Sequence, residues 1–165
     1  MALDAATMDR RFREMDRQGI DVHVISVHPS QFLYFTEPGL AARIVKMQNE
    51  KIAELVAAHR DRFVGFGNVS LQQPDLAVEQ LEYAVKMLDL RGFIVGANVN
   101  GGELANPKLD PFWKKVEELQ TVVMSRAITW WSRAKAGATW SKVCACRAIP
   151  WSRIIGGFSG LPQSR

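Results

Sequence analysis

The chain has 165 residues, of which 47% are apolar and 23% are charged, a composition typical of an ordinary globular protein. This length suffices for one domain with a core but is short for the larger α/β architectures, which need roughly 250 residues. No apolar run approaches the roughly 18 residues of a membrane span, and the charged N-terminus lacks the apolar stretch of a secretory signal. We therefore expect a cytoplasmic protein with no membrane partner.

The net charge of +4 averages two unlike segments. Residues 1–124 hold 14 Lys and Arg against 17 Asp and Glu, a net charge of −3, whereas residues 125–165 hold seven Lys and Arg and no acid. The second segment also contains four of the five tryptophans and both cysteines, Cys144 and Cys146. A C-x-C pair favours neither a structural disulfide nor a zinc site. We predict a folded region, 1–124, and an irregular basic tail, 125–165.

Up to residue 124 the sequence alternates between helix and strand patterns. Apolar residues at three- and four-residue spacing predict helices over 8–18, 39–59 and 74–89 and from Asp110. Short apolar, partly β-branched runs predict strands over 20–27, 63–69, 92–96 and from 121 to 124, with a polar loop over 98–108. This alternation requires parallel strands joined by right-handed crossovers, so the predicted fold class is α/β.

Two predictions concern packing. The strand over 20–27 is nearly continuous in apolar character, which indicates burial on both faces. In the helix over 39–59 the spacing predicts an inward face made of Leu40, Ile44, Met47, Ile52, Leu55 and Val56.

Three stretches, together with the short run VVM at 122–124, resemble the amidohydrolase-2 family, which contains aminocarboxymuconate-semialdehyde decarboxylase and related aromatic-acid decarboxylases. They are RFREMDRQGIDVHVISVHP at 11–29, the stretch 42–85 with its QNEKIAEL helix and FVGFGNV strand, and LRGFIVGANVNGGELANPKLDPFWKKVEEL at 90–119. The resemblance implies a (β/α)₈ barrel, of which about four βα units are present here, with the site at the carboxyl ends of the strands. It also implies a metal-dependent decarboxylase or hydrolase whose substrate is a small carboxylate, aromatic or muconate-like.

The metal ligands that the resemblance implies are missing from this chain. Family members carry a His-x-His pair on the first strand, with further histidines and an aspartate after later strands, whereas the three histidines here are His23, His28 and His59. On a regular strand His23 and His28 point to opposite faces, and His59 suits the carboxyl end of a helix. We expect no metal in this chain, although the resemblance implies a divalent metal of the zinc type for full-length members.

Within the implied barrel, the residues after each strand face the pocket: Ser26 to His28, the aromatic loop of Phe32, Tyr34 and Phe35, and Asn68, Asn98 and Asn100. His28 is a candidate for binding a substrate carboxylate or moving a proton, or it only ends the strand and orders the loop. Asn98 and Asn100 either contact substrate or shape their loop through side-chain to backbone bonds. Tyr34 and its aromatic neighbours line a pocket for a planar substrate, cover a helix, or pack on another subunit.

Two functions stay open for the chain. The first is part of a carboxy-lyase or hydrolase that is inactive as this chain. The second is a non-catalytic half-barrel that binds or oligomerises through its open strand edges, with the basic tail contacting an acidic partner. A nucleic-acid partner is disfavoured, and homo-oligomers are expected because four strands cannot close a barrel.

The loss of pattern near residue 125 suggests a change of reading frame. The tail is rich in Trp and Arg and free of acids, and its reverse translation in a shifted frame is compatible with a Gly-Asn-Pro helix start. We therefore expect that residues 125–165 are a frameshifted product and that Met1 is an internal start.

Overall fold

Four parallel strands form the sheet at the centre of residues 5–126, the part of the chain that the computed structural model describes. The strands are β1 (His23–Ile25), β2 (Phe63–Gly67), β3 (Gly92–Gly96) and β4 (Val122–Arg126), and they lie side by side in chain order. In the register, Ile25 is level with Gly65, Phe66 with Gly92, and Gly96 with Arg126.

Helices alternate with the strands along the chain. They are α1 (Ala5–Arg17), α2 (Pro38–Ala58), α3 (Pro74–Lys86) and α4 (Asp110–Glu118). A proline lies in the first turn of α2, α3 and α4, where its missing N–H costs no helical hydrogen bond. Four strand–helix units in this order make a partial (β/α)₈ barrel, so the predicted fold class is confirmed.

Helix α2 lies close against β2 because the strand has glycines where the helix crosses it. A Cβ atom added at Gly65 would lie 2.7 Å from Leu90 Cδ2 and 2.8 Å from Ile52 Cγ2. One at Gly67 would lie 2.9 Å from Phe93 Cε1 and 3.2 Å from Asn49 Oδ1. The two glycines therefore set the distance between the helix and the sheet.

The inward face predicted for α2 is wrong at two positions. Leu40 is 37% exposed and Met47 is 57% exposed, while the buried residues of the helix are Ala41, Val45 and Asn49. The reason is the close approach to β2, which favours residues of small or moderate size at the contact. The predicted residues Ile52, Leu55 and Val56 do pack against the core.

The first strand is shorter and less buried than predicted. Only His23–Ile25 forms a paired strand, and Val24 is 38% exposed. Within residues 5–126, β1 pairs with β2 alone and is therefore an edge strand. A small antiparallel hairpin, Asn98–Val99 with Gly102–Glu103, also forms in the segment predicted as a loop.

Two hydrophobic clusters form the core. The larger contains Leu81, Phe93 and Phe112 and lies between β3, α3 and α4. The smaller contains Met8, Met15, Ile25 and Phe63 and joins α1 to the sheet.

No helix within residues 5–126 combines the length and the apolar character that crossing a bilayer requires. The cysteine pair, four of the tryptophans and nearly all of the predicted basic tail lie outside the described residues. The proposed change of reading frame lies there too.

Candidate functional site at the carboxyl edge of the sheet

His28 follows β1 at the edge where the strands end. Its Nδ1 accepts a hydrogen bond from the Ser30 backbone N–H at 3.3 Å and lies 2.9 Å from Ser30 Oγ. His28 thereby caps the start of a 3₁₀ helix over Pro29–Gln31. These bonds are those expected of a residue that ends the strand and orders the loop. The imidazole is nevertheless exposed, so His28 stays a candidate for contact with a ligand.

Tyr34 ties the aromatic loop to the end of β3. Its hydroxyl accepts a hydrogen bond from the Gly96 N–H at 3.0 Å, and its carbonyl accepts one from Asn100 Nδ2 at 2.8 Å. Burial raises the pKa of the Tyr34 phenol well above its ordinary value. The ring stacks on Phe32 at 5.7 Å between centroids, whereas Phe35 is 76% exposed. The stacked rings of Phe32 and Tyr34 therefore face the sheet, and the ring of Phe35 faces solvent.

Asn98 and Asn100 lie in the turn after β3. Asn98 Oδ1 accepts a hydrogen bond from the Gly101 N–H at 3.3 Å, and Asn100 has a positive φ of 49°, which asparagine tolerates better than most residues. Both side chains therefore make the side-chain to backbone bonds of the loop-shaping alternative. Their contact with a substrate stays a prediction.

A network of three neutral side-chain amides lies behind the carboxyl end of β2. We call Gln48, Asn49 and Asn68 the amide network. Asn49 is 1% exposed and Asn68 is fully buried. Asn49 bonds the backbone of Asn68 in both directions, and Asn68 Nδ2 donates to Gln48 Oε1 at 3.0 Å.

Sequence reasoning identified Asn68 but missed Gln48 and Asn49. A signal was available for Asn49, because asparagine is a poor residue for the middle of a helix and is better explained there by a specific partner. It was overlooked because a polar residue in a helix is usually on the surface.

The described residues do not fit the metal site that the resemblance implies. Within 5–126 no three His, Cys, Asp or Glu side chains lie close enough together to hold an ion. His23 Nδ1 is buried with no hydrogen-bond partner in this part of the chain. His59 packs between Phe12 and Phe63, at 5.0 and 5.8 Å between ring centroids.

The sequence and the fold match a known class of proteins. A family model described as amidohydrolase matches residues 1–141, which is most of the chain. The chain belongs to the amidohydrolase-2 family, as the sequence motifs predicted. The match extends past the boundary predicted at residue 124.

Two decarboxylases are among the proteins that are similar to this chain. A 2-amino-3-carboxymuconate-6-semialdehyde decarboxylase from Dictyostelium discoideum is 32% identical over 115 residues, which are 70% of this chain and 32% of that protein. The crystal structure of a 2,6-dihydroxybenzoate decarboxylase from Rhizobium aligns with a TM-score of 0.65 and 29% identity over 70% of this chain and 38% of the other.

A third protein shares the fold. It is a dihydroxybenzoic acid decarboxylase from Polaromonas sp. JS666 with bound manganese, which aligns with a TM-score of 0.66 and 24% identity over 91% of this chain and 42% of the other. The chain thus spans about a third to two fifths of the length of these relatives.

Proposed function

We propose that the chain contributes part of the substrate pocket of a carboxy-lyase that removes CO₂ from a small aromatic or muconate-like carboxylate. The observation that carries the proposal is the convergence of exposed His28, the Tyr34 loop and the Asn98–Asn100 turn on one edge of a parallel sheet. The names of the relatives support decarboxylation over hydrolysis.

Each candidate has a proposed role. His28 binds the substrate carboxylate or moves a proton. Asn98 uses its Oδ1 in the turn, so its Nδ2 is the group that donates to a carboxylate. Tyr34 is buried and holds the aromatic loop against the end of β3, Asn100 donates to its carbonyl, and the exposed Phe35 is the ring of this loop that faces a ligand.

We propose further that these residues alone do not catalyse the reaction. In full-length members a divalent metal would bind the substrate carboxylate or activate a water, and its ligands would come from outside residues 5–126. The manganese bound in the Polaromonas decarboxylase makes Mn²⁺ the first ion to test, with Zn²⁺ as the alternative.

Ligand binding and turnover of the whole chain test the proposal. We expect 2,6-dihydroxybenzoate to give saturation-transfer NMR signals with the protein and no release of CO₂ with Mn²⁺ or Zn²⁺ added. His28→Ala should weaken binding at least about fivefold. His28→Asn is the matched control for loop order, because asparagine keeps a cap for Ser30 but lacks the imidazole. Absence of binding would refute the pocket, and metal-dependent turnover would refute the inactivity.

A second function is supported by the sheet edges. Among the described strands, β1 and β4 each pair on one side only. Met124 on β4 is 46% exposed and Val24 on β1 is 38% exposed. A half-barrel that binds another chain through these edges is the alternative, and light scattering after size exclusion tests it. A monomer at all concentrations would rule out self-association.

A further inference from the structure

We infer that the amide network of Gln48, Asn49 and Asn68 positions the His28 loop against the end of β2. It is thus a positioning element for the site, and this role rests on the proposed function. The inference starts from the backbone of Asn68, which is fully buried and lies beyond the last paired residue of β2.

Asn49 completes the hydrogen bonding that the sheet leaves unfinished. The ladder between β1 and β2 ends at Gly65, and the ladder between β2 and β3 ends at Gly67. At the next residue, Asn49 Oδ1 accepts from the Asn68 N–H at 2.8 Å and Asn49 Nδ2 donates to the Asn68 carbonyl at 3.0 Å. The side-chain amide takes the place of a neighbouring strand, and a buried peptide group requires such a partner.

Gln48 connects Asn68 to the His28 loop by hydrogen bonds. Its Oε1 accepts from Asn68 Nδ2 at 3.0 Å, and its Nε2 donates to the Gln31 carbonyl at 3.2 Å. Gln31 is the last residue of the 3₁₀ helix that His28 caps. A continuous series of hydrogen bonds therefore links the end of β2 to the loop that presents the imidazole.

Each member of the network has a bond that a charged or apolar replacement cannot make. An aspartate at position 49 keeps the acceptor but loses the donor, and its charge would face the Asn68 carbonyl. A leucine at position 48 breaks only the link to Gln31 and Asn68, since Gln48 is half-buried at the edge of the network. Asn49→Asp therefore tests the anchor, by which we mean the bonds of Asn49 to the Asn68 backbone. Gln48→Leu tests the link, by which we mean the bonds of Gln48 to Asn68 and Gln31.

Hydrogen exchange of Asn49→Asp in the 165-residue chain tests the anchor. We expect exchange at Asn68 to accelerate by about tenfold or more at pH 7: the carboxylate still accepts from the Asn68 N–H, but it has no donor for the Asn68 carbonyl and repels it, so this end of β2 opens more often. Protection should return as the pH is lowered, since the protonated carboxyl regains a donor. Asn106→Asp is the matched control: Asn106 only accepts from the Lys108 N–H, so an aspartate there keeps its bond. Unchanged exchange at Asn68 at every pH would overturn the inference.

The Gln48→Leu variant tests the link. We expect the amide shifts of residues 28–31 to move and the dissociation constant for 2,6-dihydroxybenzoate to rise by about threefold to tenfold, while the melting temperature changes little. Unchanged shifts at 28–31 would overturn the positioning role. If the wild-type chain does not bind 2,6-dihydroxybenzoate, the proposed function fails, but the shifts and the exchange rates still decide the inference.

Discussion

The two ends of β2 are held by different kinds of interaction. At the amino end, Phe63 packs against Phe12 and His59, and Arg62 pairs with Asp16 at 2.6 Å. At the carboxyl end, hydrogen bonds among neutral amides hold Asn68, next to the buried apolar residues Val69 and Leu71. In barrel folds the amino ends of the strands serve stability and the carboxyl ends serve function, and the difference here follows that division.

The difference shows what each end can tolerate. Apolar and ring contacts at the amino end contribute free energy in proportion to the surface they bury, with modest demands on direction. Hydrogen bonds at the carboxyl end contribute less each but fix distances and angles. The amino end should therefore control the free energy of unfolding, and the carboxyl end the local order of the loops.

The largest effect is expected for Phe63→Ala. Phe63 is 1% exposed at the centre of the smaller hydrophobic cluster, so the variant leaves a cavity and should lose about 3–5 kcal/mol of unfolding free energy. Urea denaturation measures it. Met47→Ala, at a site 57% exposed, is the control and should change the free energy by no more than about 0.5 kcal/mol. Equal effects of the two variants would contradict the stabilising role of the amino end.

Gly65→Ala should cost about 2–3 kcal/mol by overpacking, because the new Cβ would meet Leu90 and Ile52 below 3 Å. Gly39→Ala is the matched control: the nearest atom to its new Cβ is 3.9 Å away, and alanine favours the helix. The melting temperature should fall for the first variant and hold or rise for the second. A stable Gly65→Ala protein would show that α2 is free to move away from the sheet.

Tyr34→Phe tests the carboxyl end through pH. The variant removes the acceptor of the buried Gly96 N–H and should lose about 1–2 kcal/mol near neutral pH. Because burial raises the pKa of Tyr34, the folded phenol keeps its proton where the unfolded one loses it. The contribution of Tyr34 to stability is therefore complete below about pH 10 and declines as the pH rises above it.

The measurement is unfolding free energy from pH 8 to 11 for both proteins. The wild-type chain should lose stability more steeply than Tyr34→Phe above pH 10. Parallel curves would show that the hydroxyl is not held in a dry environment.

The smallest effect is expected for Asp16→Asn. Its partner Arg62 is only 23% exposed but Asp16 is 63% exposed, so the ion pair should contribute less than about 1 kcal/mol. The loss should be larger at low salt than at 1 M NaCl. Glu54→Gln, in the more exposed pair with Lys51, is the control with an effect near zero. A salt-independent loss would point to hydrogen bonding in place of charge.

Much of the fold was predictable because its pattern is local. The strand at Gly92–Gly96 and the start of α3 at Pro74 were placed at the observed residues, since glycine and proline mark strand and helix ends in the sequence itself. The face of α2 was not, because burial of Val45 and exposure of Met47 depend on a strand that lies 20 residues further along the chain.

Less of the candidate site was predictable. Position after a strand was enough to select His28, Asn68, Asn98 and Asn100, whose chemical roles stay predictions. The bonds from Asn49 to Asn68 and from Tyr34 to Gly96 join residues 19 and 62 positions apart, so no local pattern indicates them. The sequence separates such residues, and only the fold brings them together.

The amide network also bears on how the molecule tolerates change in its loops. An uncharged anchor neither attracts nor repels the residues inserted next to it, and it does not titrate with them. A loop of different length or charge can therefore be grafted after β1 or β2 without disturbing the amide network, provided that Gln31 and Asn68 keep their backbone positions. The charge of the loops at this edge can therefore change while the network keeps their orientation.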